Sequence, residues 1–158
     1  MKVRFYHWYN AVLAALLCLL GFESCDDIGA DEYGSPYVKY QVKGTVTDNE
    51  GRPIKGIKVK VAEQGMHNGS VIIYHGIDSI ETDAAGAYQT HVMTDGFINE
   101  RRKVIFEDTD GTANGGDFQG DTLSLTDLEK TLVEKGGEWY RGKYEMKGDV
   151  TLKAKTDN

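Results

Sequence analysis

The chain has 158 residues, the length of one domain, with 40% hydrophobic and 27% charged side chains. Its 25 acids outweigh 18 bases for a net charge of −7, which disfavours a nucleic-acid partner. Two cysteines allow one disulfide at most.

The N-terminus differs from the rest. Lys2 and Arg4 precede residues 11–22, AVLAALLCLLGF, in which no position is charged. Such a run falls short of the roughly 20 residues that cross a bilayer as a helix. It has the length of a signal-peptide core, and a signal helix is expected over residues 1–24. Ser24, a small residue, precedes Cys25 where the run stops. The segment Leu20-Gly21-Phe22-Glu23-Ser24-Cys25 resembles a lipobox, where signal peptidase II cuts before a lipidated cysteine. That resemblance implies acylation of Cys25, with palmitate as a typical chain. Phe22 and Glu23 depart from the commonest form, Leu-Ala-Gly-Cys. The alternatives are an ordinary secretory signal beside an incidental cysteine, or a retained anchor. Cleavage before Cys25 removes Cys18 and leaves 134 residues. Losing Lys2, Arg4 and Glu23 takes 18 bases and 25 acids to 16 and 24, a net −8. With one acylated thiol left, no disulfide forms within the chain, so its core alone must hold the fold.

Residues 25–36, CDDIGADEYGSP, are acidic, poor in large apolar side chains and closed by Pro36. They read as a flexible tether reaching at most about 40 Å. The acidic pair Asp26-Asp27 resembles the surface-export signal of Bacteroidota lipoproteins. A plain solvated linker fits as well, so the periplasmic and surface faces of the envelope both stay open.

The body reads as strands. From Tyr37 to Asp48, Val38, Tyr40, Val42 and Val46 alternate with Lys39, Gln41, Lys43, Thr45 and Thr47, the period of a half-buried strand. Gly44 interrupts the apolar face and marks a bulge or a close approach. Asn49-Glu50-Gly51 is a turn, and Pro53 belongs to a loop or edge. Ile57, Val59 and Val61 form a second strand. Val71–Tyr74 and Asp78–Thr82 read as the third and fourth. Asp83–Gly86 is a turn that launches an alternating strand from Ala87 to Met93, with Tyr88 as its aromatic anchor. Lys103–Glu107 and Asp121–Leu125 follow. Leu125, Leu128 and Leu132 have helical spacing, Thr126 and Glu129 fit a capping box, and Gly136-Gly137 supplies a stop. A short helix is therefore expected over 127–135, then a last strand over Tyr144–Lys155. The pattern is mainly β: an antiparallel sandwich over 37–155 with at most one short helix after the signal.

Val42-x-Gly44-x-Val46-x-Asp48-x-x-Gly51-x-Pro53-Ile54-x-Gly56-Ile57-x-Val59-x-Val61, followed by Thr82-Asp83-x-x-Gly86-x-Tyr88, resembles the carboxypeptidase regulatory-like domain. The resemblance implies a transthyretin-like sandwich, close in kind to an immunoglobulin-like one, and says nothing of activity. Phe106–Gly111, Asn114–Phe118, Trp139-Tyr140-x-Gly142 and the tether Tyr33–Tyr37 extend it. Together they resemble the small Bacteroidota lipoproteins encoded beside a radical SAM protein. This implies an envelope lipoprotein, most simply of the outer membrane, that is partner or substrate of a radical SAM enzyme.

Candidate chemistry is sparse. Asp108, Asp110, Asn114 and Asp117 offer hard oxygens from one loop, as calcium prefers. EF-hand spacing fails, because Thr112 and Ala113 stand where a ligand and a glycine belong, and a polar Asx-turn loop is the alternative. His67, His75 and His91 fall in no zinc-type spacing. No Gly-x-Ser-x-Gly elbow or Walker loop occurs. Trp139, Tyr140 and Tyr144 form a sugar-stacking platform if exposed and coplanar, or core filling if not. The reading is a non-enzymatic, membrane-anchored binding domain with no cofactor unless calcium. Its rival is a cell-surface glycan-binding module. A hydrolase ranks last.

Overall fold

The structure, a computed structural model, describes residues 8, 9, 12, 13, 16 and 35–155. Cys25, the tether as far as Gly34 and most of the expected signal segment lie outside the described residues. By its contacts the chain divides into Met1–Gly34 and Ser35–Asn158. No helix among the described residues is long and apolar enough to cross a membrane.

The second unit is a β-sandwich. Its strands are β1 (Tyr37–Thr47), β2 (Ile57–His67), β3 (Ser70–Glu81), β4 (Ala87–Gln89), β5 (Met93–Asp95), β6 (Arg102–Asp108), β7 (Phe118–Gln119), β8 (Asp121–Ser124), β9 (Glu129–Glu134), β10 (Tyr140–Lys147), β11 (Val150–Thr151) and β12 (Lys153–Ala154). β1 is the spine of the first sheet. β4 and β5 pair antiparallel along one of its edges, β10 and β11 pair parallel along the other, and β9 lies outside β10. The second sheet runs β3-β2-β6-β8, all antiparallel, and β7 with β12 forms a small ribbon.

The core lies between the sheets. The alternation along β1 and β2 turns Tyr40, Val42 and Val46, and Ile57, Val59 and Val61, inward, where they meet Val104, Phe106, Tyr88 and Met146. Tyr88 sets its ring edge-on to Phe106 at 5.6 Å and donates its hydroxyl to the Gly148 carbonyl at 2.6 Å. Gly44 is a close approach: a Cβ there would strike the Gly148 carbonyl.

Three Asp-x-x-Gly turns close one end of the sandwich. Asp48 Oδ1 accepts the amides of Glu50 and Arg52 at 2.8 and 2.9 Å, while the Gly51 amide donates to the Asp48 carbonyl. Asp83 repeats this with the amides of Ala85 and Ala87 and with Gly86. Asp108 Oδ1 accepts the amides of Asp110 and Gly111, both at 3.2 Å. Gly51, Gly86 and Gly111 all have φ between 64° and 78°, where a side chain is strained.

Several expected elements differ. The helix over 127–135 is a short 3-10 turn, Leu125–Asp127, followed by β9. The leucine spacing is coincidental: Leu125 is buried, Leu128 is partly buried against the core and Leu132 is half exposed. The Thr126 hydroxyl donates to the Asp127 carboxylate, so no capping box forms. The open edge of β10 offers this segment a ladder instead, and β-branched Thr131 and Val133 suit a strand better than a helix. The third and fourth expected strands are one, β3, joined to β2 through an Asn68-Gly69 turn with φ of 50° and 80°. The strand expected from Ala87 to Met93 breaks into β4 and β5. The last strand begins at Tyr140 and is broken at Gly148-Asp149, with Leu152 separating β11 from β12.

Candidate functional site

The outer face of the first sheet carries a shallow concavity of about 630 Å³. Register builds it. Lys43 lies between Gln89 of β4 and Lys147 of β10, and Lys147 lies next to Glu129 of β9. One step along, Glu145 is flanked by Gln41 and Thr131. Lys43 bonds the Glu145 carboxylate, and Lys147 reaches Asp149 at 3.0 Å. The Asp149 hydrogen bond raises the Lys147 ammonium above its ordinary value. Burial works to raise Asp149, but bonds from Lys147 and from the amide and hydroxyl of Thr45 outweigh it and hold its carboxyl low. Acids pushed down and bases pushed up stay charged near neutrality. Lys147 and Asp149 therefore form a lasting ion pair beside the Lys43–Glu145 pair.

A second cluster straps the sheets together at the other end from the Asp-x-x-Gly turns. Arg102 donates to Asp95 of β5 at 2.6–2.7 Å and to Glu63 of β2 at 3.2 Å. The Tyr40 hydroxyl is buried close by without a hydrogen-bond partner among the protein atoms. Burial first, then the Asp95 charge, pushes it up to about 12. Sequence reasoning missed this strap, because ion pairs across a sandwich leave no local pattern.

Asp108 spends both oxygens on backbone amides, the second accepting Phe118 N–H at 2.7 Å. Asp110 takes a hydrogen bond from the Asn114 side chain, and Asp117 pairs with Lys155 at 2.5 Å. The loop oxygens are thus engaged in turns and ion pairs. Among the described residues no group of three or more His, Cys, Asp or Glu is placed to hold a metal. His91 joins Asp78 at 3.0 Å through Nδ1, and its amide donates to the same carboxylate at 2.7 Å. Trp139, Tyr140 and Tyr144 do not share one platform. Tyr140 stacks on Tyr37 with centroids 5.3 Å apart, under the Lys39 ammonium. Tyr144 packs against the core, and Trp139 is 42% exposed.

Neither a protein-family model nor a curated protein sequence matches the chain. Among solved structures it is similar to 3-chlorocatechol 1,2-dioxygenase from Rhodococcus opacus 1CP, at 13% identity and a TM-score of 0.45 over 78% of this chain and 62% of that one. It is similar to catechol 1,2-dioxygenase from Pseudomonas arvilla C-1 at 16% identity and 0.45, over 80% and 56%. The dioxygenase domain of a carbohydrate-binding fusion from Streptomyces sp. SirexAA-E aligns at 16% identity and 0.44, over 78% and 84%. The chain thus spans under two thirds of the first two. At this level of likeness nothing of their chemistry transfers.

Proposed function

We propose that the chain is a cell-envelope lipoprotein, held at the outer membrane through acylated Cys25, whose sandwich binds a partner instead of catalysing a reaction. The observation that carries the binding reading is the outer face of the first sheet, where Lys43–Glu145 and Lys147–Asp149 pairs frame a broad, open concavity. Open concave sheets with satisfied charges recognise extended polar surfaces; they do not shield a reacting bond from water. The radical SAM protein implied by the sequence resemblance is the first partner to test.

The test is co-purification of the tagged protein from its own membranes, beside a Lys147→Glu, Thr131→Arg variant of the face. The reading expects one recurrent partner that the variant loses. A partner retained equally by the variant places binding elsewhere. Mass spectrometry of the chain with and without the radical enzyme separates partner from substrate: a mass change marks the substrate.

A further inference from the structure

We propose that the end of the sandwich where the tether enters rests on the lipid surface, with the β2–β3 hairpin tip, Phe97 and Trp139 dipping into the interfacial layer. This rests on the lipid-anchor reading and adds an orientation to it.

The Tyr37 amide donates to the Trp139 carbonyl at 2.9 Å, and Val38 pairs with Asp95, so Ser35 and Pro36 emerge between the β5–β6 and β9–β10 loops. The Arg102–Asp95 and Arg102–Glu63 bonds place the outer half of the β2–β3 hairpin at this same end. Pairing of β2 with β6 stops at Glu63–Arg102, so from Gly65 to Tyr74 the hairpin is a free two-stranded arm. At about 3.3 Å per residue it projects some 15 Å.

That arm is unlike the rest of the domain. From Gln64 to Ile77 there is no Asp, Glu, Lys or Arg. Met66 and Val71 pair across the hairpin on one face beside Ile73, with Met66 62% exposed, and Tyr74 is exposed on the other. Phe97, at 68% exposed, and Trp139 lie in the two neighbouring loops. Aromatic and aliphatic side chains in that mix suit the water–lipid boundary. The opposite end carries the Asp-x-x-Gly turns, where Asp48 and Glu50 pair with Arg52 and Asp149 with Lys147, and the turns hold none of the exposed large apolar side chains. The loops beside the arm carry Glu100, Arg101, Glu134, Lys135 and Glu138, so the uncharged stretch is the arm itself, and the arm is the part that meets the interfacial layer. A tether of at most about 40 Å keeps the domain within reach. β3 is also an edge strand with unpaired backbone groups, so the arm sits where water still satisfies them and not in the hydrocarbon.

Trp139 reports the orientation directly, since Trp8 is the other tryptophan and leaves with the signal. The mature protein, purified from its own membrane, is placed in phosphatidylethanolamine–phosphatidylglycerol vesicles with brominated acyl chains. Expected is roughly twofold quenching of Trp139 with a blue-shifted emission, as for an interfacial indole. Quenching is lost in Ile73→Glu, Phe97→Glu, which keeps its acyl mass and its circular dichroism. An acylated chain with unquenched Trp139 overturns the orientation and leaves the anchor standing. A chain whose mass shows no acyl group overturns the anchor; vesicles added to that chain carrying Trp8→Phe still decide the orientation, by quenching of Trp139 or its absence. An unquenched chain that forms a dimer broken by Ile73→Glu overturns it in favour of β3 pairing with a second copy.

Discussion

The Val42 amide donates to the Thr90 hydroxyl at 2.9 Å, where an antiparallel ladder would offer a carbonyl. Thr90 returns the bond from its own amide to the Val42 carbonyl, also at 2.9 Å. Between the Gly44–Tyr88 and Tyr40–Met93 pairs one strand holds one residue more than the other, so β4 must bulge before β5 resumes. The side chain of Thr90 fills the gap in the ladder. Its freed carbonyl accepts the Gln41 side chain at 2.6 Å, and His91, pushed outward, reaches Asp78 of the second sheet.

Thr90→Val keeps the shape but leaves the buried Val42 amide without an acceptor. It is expected to cost about 1–3 kcal/mol in urea unfolding, with Thr90→Ser near wild type. Equal losses in Val and Ser would show that packing, not the hydroxyl, matters there.

Gly51 and Gly86 occupy the same position of the same turn, so they make a matched pair. Each alanine variant carries the positive-φ strain, about 1 kcal/mol. Only at Gly86 does the new Cβ also meet a neighbour, the Val46 carbonyl at 2.5 Å; at Gly51 nothing lies within 4 Å. Gly86→Ala should therefore lower the urea midpoint clearly further than Gly51→Ala. Similar midpoints would contradict the packing seen at this end.

Tyr88→Phe removes the hydroxyl that donates to the Gly148 carbonyl beside Gly44. The expected loss is about 1 kcal/mol, with the Phe106 ring contact retained. Gly44→Ala presses on the same carbonyl and should cost more, about 1–3 kcal/mol by overpacking. Thermal melts of the two variants rank them.

Acid should unfold the domain through its pinned aspartates. The Arg52 side chain, with backbone amides, holds Asp48 below its ordinary 3.8. Burial raises Asp78 and Asp149, but bonds from His91 and from Lys147 and Thr45 outweigh it and leave both low. The native state then binds fewer protons than the unfolded chain, so this stability is present above the ordinary value and fades as pH falls through the folded ones. The urea midpoint should stay level between about pH 7 and 5 and drop below about pH 4. Asp48→Asn, Asp149→Asn should start lower and lose less on acidification. Parallel curves would contradict the pinning.

Much of this fold is legible in the sequence where the information is local. The alternation of Val38 to Val46, the Asp-x-x-Gly turns and the Tyr88 anchor all state their geometry within a few residues. The errors lie where tertiary partners decide. Leu125, Leu128 and Leu132 imitate a helix, but the free edge of β10 recruits the segment as β9. Asn68-Gly69 is a strong hairpin signal that joins the expected third and fourth strands into the single β3 opposite β2. The Glu63–Arg102–Asp95 strap and the Lys43–Glu145 face depend on strands far apart in sequence meeting in register. The parallel pairing of β1 with β10 is likewise invisible to any window of the chain.

The mass of the N-terminal peptide from the protein purified out of its own membrane tests the lipid anchor most directly. The expected chain begins at Cys25, carries acyl groups on that residue and lacks residues 1–24. A chain cut elsewhere, or one starting before Cys25 with a free thiol, would contradict it.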